Sequence, residues 1–164
     1  MNKINPKEIK ENIISLFDDN WSLITAGDEK GYNTMTASWG GIGELWNKDV
    51  CFIFIRPQRY TYEFVEKNDL FTVSFYGKEY KKALSFCGTK SGRDYDKAKE
   101  TGLTPLFIDG TVSFEEAKLT LVCRKIAFQN MKPDGFVDKT IDNNYKDGDY
   151  HRIYVGEIIA CYEK

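Results

Sequence analysis

Histidine is almost missing from this chain: His151 is the only one in 164 residues. A metal centre built from several imidazoles is therefore excluded, and the four cysteines do not replace them. Cys51, Cys87, Cys123 and Cys161 stand far apart, with no C-x-x-C and no cysteine–histidine ligand spacing. Long apolar runs are missing too. None approaches the roughly 20 residues that a membrane-spanning helix needs, and no secretory signal pattern opens the sequence, so the expectation is a soluble cytoplasmic protein with no membrane partner. Neither charge dominates: 23 Lys and Arg face 25 Asp and Glu, a net charge of −2. The chain as a whole then has no general attraction for nucleic acid, and any anion site must be local. Also absent are a G-x-G-x-x-G after a strand, a Walker loop, a G-x-S-x-G elbow and an H-E-x-x-H pair. His151 has no Ser and Asp in a recognisable triad order.

What is present is an ordinary folding composition, 41% hydrophobic and 15% aromatic, in a chain of the length of one domain, residues 1–164. Ile9, Ile13, Ile14, Leu16 and Phe17 follow Pro6 at near-helical intervals, predicting one amphipathic helix within residues 1–20, packed on the rest. "WSLITAG" and "TMTASWG" read as strands joined by a turn around Gly31, and "KDVCFIFI" as a strand apolar on both faces. Thr61 is the expected N-cap of a helix over "YEFVEKND". In "LFTVSFYG" Phe71, Val73 and Phe75 alternate with Thr72, Ser74 and Tyr76, the mark of a strand. The polar stretch 78–102 reads as a helical insertion over the mouth of the fold, outside its core. Two short strands, a long strand from about Ala117 to Phe128, an Asp- and Asn-rich loop and a closing strand complete the chain. Hairpin-linked strands with helices inserted irregularly predict a mainly β protein with an antiparallel barrel or sheet. Cys51, Cys123 and Cys161 lie in apolar runs and should be buried. Cys87 is the least clearly buried and is read as structural.

Four segments could carry chemistry. In "NTMTASWGG" a strand points Thr34, Thr36 and Ser38 to one face and Met35, Ala37 and Trp39 to the other. A row of short hydroxyls lets a planar ligand approach the backbone, although an exposed polar strand face looks the same. In "IRPQRYT", Arg56, Arg59 and Thr61 with the free N–H groups of a helix start suit a phosphate, although a loop can expose two arginines without one. "GTKSGRDYDK" sets Lys90, Ser91, Arg93 and Lys97 around Gly92, which suits either a ligand loop or a turn that caps the next helix. His151 precedes the last strand and has the titration range of a proton donor.

Taken in order, "NTMTASWGG", "IRPQRYT", "FTVSF", "SGRDYDK", "EEAKLTLVCRK" and "DYHRIYVGEI" resemble the flavin reductase-like, FMN-binding split β-barrel family, in its flavoredoxin-like branch. The resemblance spans nearly the whole chain after the first helix. It implies a Greek-key split barrel of about six strands, dimeric, with FMN in a groove at each subunit interface of a homodimer. Asn33, Thr34, Met35, Thr36, Ala37, Ser38 and Trp39 then run along the isoalloxazine ring and ribityl chain, with Thr34, Thr36 and Ser38 toward the cofactor and Met35 and Ala37 toward the core. Arg56, Gln58, Arg59, Tyr60 and Thr61 match the segment that meets the phosphate and ribityl hydroxyls. Ser91, Gly92 and Lys97 match a second polar segment over the cofactor. His151 falls where relatives carry a histidine in "G-D-H" near the flavin or nicotinamide, although here Tyr150 intervenes. No metal is implied. The activity implied is electron transfer from NAD(P)H or a protein donor through FMN to flavin or another acceptor, and the alternative is a protein that binds FMN or carries electrons without catalysis. An oligonucleotide-binding barrel would need a basic groove, against the acidic balance.

Overall fold

The computed structural model describes all residues 1–164. Ten strands and four short α-helices account for most of the chain. They are β1 (Asn2–Ile4), α1 (Ile13–Ser15), β2 (Ser22–Asp28), β3 (Gly31–Ala37), β4 (Gly40–Leu45), β5 (Lys48–Ile55), α2 (Tyr60–Lys67) and β6 (Leu70–Phe75). After these come α3 (Lys81–Thr89), α4 (Lys97–Thr101), β7 (Pro105–Ile108), β8 (Thr111–Phe114), β9 (Leu119–Asn130) and β10 (Arg152–Glu163). The expected mainly β, antiparallel architecture is present. Seven strands pair in the order β3-β2-β6-β9-β10-β5-β4, with β1 added to β10, while β7 and β8 form a separate hairpin. No helix is long and apolar enough to cross a membrane.

β3 and β4 are the two ends of that order, yet only Ser38 and Trp39 separate them in sequence. A two-residue link reaches about 10 Å at most, so the sheet must curl until its ends nearly meet. No ladder joins β3 to β4; the barrel is closed in shape and split in hydrogen bonding.

Period-two alternation sorts the strand residues to two cores. Ile24 and Ala26 of β2, Met35 of β3, Ile53 of β5, Phe71, Val73 and Phe75 of β6 and Leu121 of β9 fill the barrel. On the opposite face Leu23 and Tyr76 pack with Leu84, Cys87, Ala98, Leu103 and Phe114 in a second cluster. The stretch 78–102 is therefore half of a core, in contrast to the insertion expected from its polarity. Its apolar residues are few, but Leu84 and Cys87 share one face of α3 and Ala98 adds to them from α4; Cys87 is fully buried, like the other three cysteines. The outward hydroxyls of β6 are covered by the β7–β8 hairpin: Thr72 Oγ1 donates to the Val112 carbonyl at 2.6 Å, and Ser74 Oγ lies 2.9 Å from Ser113 Oγ and 3.2 Å from Thr120 Oγ1.

Two further expectations are corrected, and one strand was not foreseen. Residues 1–20 do not form one helix. Asn2–Ile4 pair with Cys161–Glu163 of β10, Asn5 and Asn12 cap short turns with their side chains, and Leu16–Asn20 form a π-helical turn that sends Leu16 and Phe17 into the barrel. Two asparagines that bond nearby backbone N–H groups outcompete the apolar periodicity. Strand β4, "GGIGEL", was not legible as a strand because its glycines carry no pattern. Its hairpin to β5 turns through Trp46 and Asn47, both with φ of 57°, the left-handed pair that a two-residue hairpin turn requires. The N-cap of α2 is Arg59, in place of Thr61, which sits one residue inside the first turn.

On β10, Gly156 leaves room for its neighbours: a Cβ there would lie 2.5 Å from Phe71 Cζ and 2.8 Å from Cys123 Cβ. Gly156→Ala should therefore overpack the barrel and lower stability by about 1–3 kcal/mol, read as a lower urea midpoint at unchanged m-value. A midpoint equal to wild type would contradict this packing.

Candidate functional site

The split in the barrel is also where the cleft lies. Its first compartment, about 240 Å³, is bounded by Met35 to Trp39 at the end of β3, Phe54 and Arg56 at the end of β5, Arg59, Gly88 and His151. A second, about 170 Å³, is bounded by Met35, Gln58, Arg59, Tyr60, Thr61, the loop Thr89–Gly92 and Lys97. Met35 and Arg59 belong to both, so the two are neighbours along one groove. Asn33 and Thr34 lie one step further, around a hollow they share with Gly92 and Lys97. The predicted site residues, from three separate parts of the chain, are thus brought to one edge of the sheet.

The strand itself differs in one detail from its sequence reading. Met35 and Ala37 do face the barrel core. The hydroxyls opposite them are not all free for a ligand. Thr34 Oγ1 lies 2.8 Å from Thr25 Oγ1 and 3.3 Å from the Ile24 carbonyl, and Thr36 Oγ1 donates to the Leu84 carbonyl of α3. Helix α3 covers that face, so those hydroxyls fasten the helix and the hairpin, leaving exposed Ser38 at the end of the row. Asn33 turns the other way and donates from Nδ2 to Thr61 Oγ1 at 2.7 Å, tying β3 to the first turn of α2. Gly92 packs directly on this tie. A Cβ at Gly92 would fall 1.8 Å from Asn33 Oδ1 and 3.2 Å from the Tyr60 ring, so the loop closes against the strand only with glycine there.

The cations divide into two groups. Arg56 is neutralised: its Nη1 reaches Asp149 Oδ2 at 2.5 Å and its Nη2 the Asn144 carbonyl at 2.9 Å. Gln58 donates to the same carboxylate oxygen at 2.6 Å. Those contacts hold the Asp149 carboxyl below its ordinary pKa, the bond from Arg56 being the main cause. Arg59 and Lys97 have no carboxylate partner. Arg59 Nη1 donates to the Gly88 carbonyl at 2.8 Å, and Lys97 Nζ to the carbonyls of Thr34 at 2.7 Å and Cys87 at 2.8 Å. Lys97 is only 6% exposed; burial, with Arg59 adding repulsion against the attraction of Cys87, lowers its pKa to about 8. Burial first and Arg56 second also press down the pKa of Arg59. Close by, α2 begins with no side-chain cap, so its first N–H groups and positive dipole end stay unsatisfied. Two uncompensated cations beside a free helix start supply the donors and the positive potential that binding an anion requires.

His151 stands at the other end of the groove, 8% exposed, its ring 5.3 Å from Trp39 and 6.4 Å from Phe54. Burial and the positive charge of Arg56, opposed only in part by Asp149, lower its pKa to about 4. The ring is neutral at physiological pH. Trp39 is 49% exposed at the rim. Sequence reasoning missed Phe54, Gly88, Tyr145 and Asp149. Asp149 meets Arg56 across 93 positions of sequence, and no local pattern marks such a pair; the aromatic strand "CFIFI" was the only signal for Phe54.

A family model described as "Flavin reductase like domain" matches residues 15–164. No curated protein matches the chain. Among solved structures, flavoredoxin from Methanosarcina acetivorans is similar at 22% identity and TM-score 0.69, covering 100% of this chain and 75% of its own. The FMN-binding protein from Thermus thermophilus with bound 1-cyclohex-2-enone is similar at 19% identity and TM-score 0.71, with coverage of 99% and 80%. The NADH:FAD oxidoreductase of Streptomyces globisporus in complex with NAD and FAD fragments has 16% identity, TM-score 0.67 and coverage of 88% and 74%. At these identities the likeness is one of fold.

Lys97 makes the anion site pH-dependent. Its folded pKa, about 8, lies below the ordinary lysine value of 10.5, so the charge that attracts an anion is present below about pH 8 and lost above it. Sulfate, whose own charge is constant there, should bind several-fold more weakly at about pH 9 than at about pH 7. In Lys97→Met the affinity should be low and flat with pH. A flat wild-type profile by titration calorimetry would show that Lys97 does not face the anion.

Proposed function

Because the chain belongs to the flavin reductase-like family, we propose that it is an FMN-dependent oxidoreductase, passing electrons from NAD(P)H or a redox protein through bound FMN to a flavin or another acceptor. The observation that carries this reading is the groove itself: a compartment walled by Met35, Trp39, Phe54 and His151 adjoins one that holds the uncompensated Arg59 and Lys97 and the uncapped start of α2. An apolar ring with a polar tail ending in a phosphate fits that sequence of surfaces.

In this reading Arg59, Lys97 and the N–H groups of Tyr60 and Thr61 hold the phosphate. Ser91 and Gly92 close over it, and Asn33 and Thr61 brace the wall behind. Arg56 and Gln58 hold Asp149 and the segment between β9 and β10 in place, which makes them supports of the site more than phosphate ligands. The strand from Met35 to Trp39 underlies the ring, with Ser38 and backbone groups as its hydrogen-bonding partners, and Thr34, Thr36 and Ala37 set that strand's position. His151 and Trp39 border the face that a nicotinamide or acceptor approaches. Bound FMN supplies the hydride and single-electron chemistry, so no protein nucleophile or metal is needed. A homodimer would cover the exposed Trp39 at the rim and complete the groove.

The test is direct. The purified protein should take up FMN, and anaerobic NADH or NADPH should bleach the flavin. Bound flavin that no nicotinamide reduces favours an electron carrier, and a protein that takes up neither FMN nor FAD sinks the proposal. Arg59→Ala should weaken FMN binding by about 1.5–3 kcal/mol, the worth of a charge-assisted hydrogen bond, or roughly 10- to 150-fold in Kd. An unchanged Kd would move the phosphate elsewhere.

A further inference from the structure

His151 offers the cleft one ring nitrogen, and what that nitrogen can do depends on a residue behind it. Tyr145 lies in the segment between β9 and β10, buried, with its hydroxyl 2.8 Å from His151 Nδ1 and 3.4 Å from Met131 Sδ. A phenol has one proton to donate. The phenol oxygen can also accept, so the competing arrangement is Nδ1–H donating to Tyr145 while Tyr145 donates to Met131 Sδ; a neutral imidazole nitrogen is a far stronger acceptor than a thioether, and this favours donation of the phenol proton to Nδ1. An imidazole that accepts at Nδ1 carries its own proton on Nε2, and Nε2 has no partner within the protein while the ring borders the cleft beside Trp39.

The surroundings hold this arrangement in place. Tyr150 stacks on Tyr145 at 4.9 Å and Phe136 at 5.8 Å, with the Arg56 guanidinium 5.0 Å from its ring centre. The His151 carbonyl accepts from the Met131 N–H at 2.9 Å, fixing the backbone on which the ring turns. The charged groups that bear on the imidazole are Arg56 and Asp149, paired with each other. Protonating both ring nitrogens would reverse the Tyr145 bond, with the phenol oxygen accepting, and add charge to a buried ring.

We propose that Tyr145 is a positioning residue: it fixes His151 as the Nε2–H tautomer, so that the cleft presents a neutral hydrogen-bond donor beside Trp39 to a carbonyl or ring-nitrogen acceptor of a planar ligand. The tautomer stands on the protein's own geometry; its use by a flavin or by the flavin's substrate rests on the FMN reading above.

Because His151 is the only histidine, the ¹⁵N imidazole spectrum reports on it alone and needs no cofactor. Between about pH 5 and about pH 8 the wild-type protein should show one neutral Nε2–H tautomer. Tyr145→Phe should give a mixture of tautomers that titrates closer to the ordinary histidine range, while Met131→Leu should keep the wild-type pattern. An Nδ1–H tautomer in wild type overturns the proposal, as does a Tyr145→Phe spectrum identical to wild type or a change of tautomer in Met131→Leu. The last two comparisons are independent, so the test survives if Tyr145→Phe fails to fold. Added FMN should shift the Nε2 resonance. An unmoved resonance with FMN demonstrably bound removes the ligand half of the proposal, and FMN that does not bind at all counts against the cofactor reading instead.

Discussion

The two-residue link between β3 and β4 is the constraint on which the rest of the structure depends. It joins the first and last strands of a seven-strand path, so the sheet has to close on itself, yet no ladder forms between those two strands. An open seam between two strand edges is ordinarily a liability, since unpaired N–H and C=O groups invite association. Here the seam is managed by what packs around it. Phe17 and the N-terminal turns enter the barrel, α2 braces β3 through Asn33 and Thr61, and Thr36 and Lys97 tie α3 and α4 to the same strand. What remains open is the groove.

The electrostatics of that groove follow from how one carboxylate is shared. Asp149 takes Arg56 and Gln58 together, and so leaves Arg59 and Lys97 without a counter-charge. A chain with net charge −2 can thereby keep a local site for an anion, which its overall balance would oppose. Burial acts in the same direction: it makes the Lys97 ammonium costly unless an anion arrives, and it keeps His151 neutral. One end of the groove is a cationic pocket and the other an aromatic one around a neutral imidazole, and a ligand with a phosphate at one end and a flat ring at the other matches both.

Much of this was legible before the structure. Alternation in "LFTVSFYG" set Phe71, Val73 and Phe75 against Thr72 and Ser74, and the structure puts the two sets on opposite faces, because side-chain direction in a strand is a local property. The segments around Asn33, Arg59 and Gly92 were legible for a related reason: glycine, hydroxyl and arginine residues in short runs have few uses in a core. The helical content of residues 1–20 was misread because the apolar spacing ignored two asparagines that bond the backbone. The stretch 78–102 was misread because a minority of apolar residues, Leu84 and Cys87 on α3 and Ala98 on α4, is enough to build part of a core.

The sequence by itself determined the antiparallel β class, the family resemblance and the short segments from which the groove is made, all of which depend on residue type and near-neighbour spacing. Only the tertiary structure decided which of those residues are free to act. Arg56 and Arg59 are three positions apart and alike in chemistry, yet one is neutralised by Asp149 and the other is not. Thr36 and Ser38 alternate on one strand face, yet one hydroxyl is spent on α3. His151 owes its hydrogen-bonding state to Tyr145, and its charge to burial among Trp39, Phe54 and Arg56. Partners of that kind are chosen by the closure of the sheet, which brings together positions such as Arg56 and Asp149, 93 residues apart, and a pairing across such a distance leaves no local trace in the order of residues.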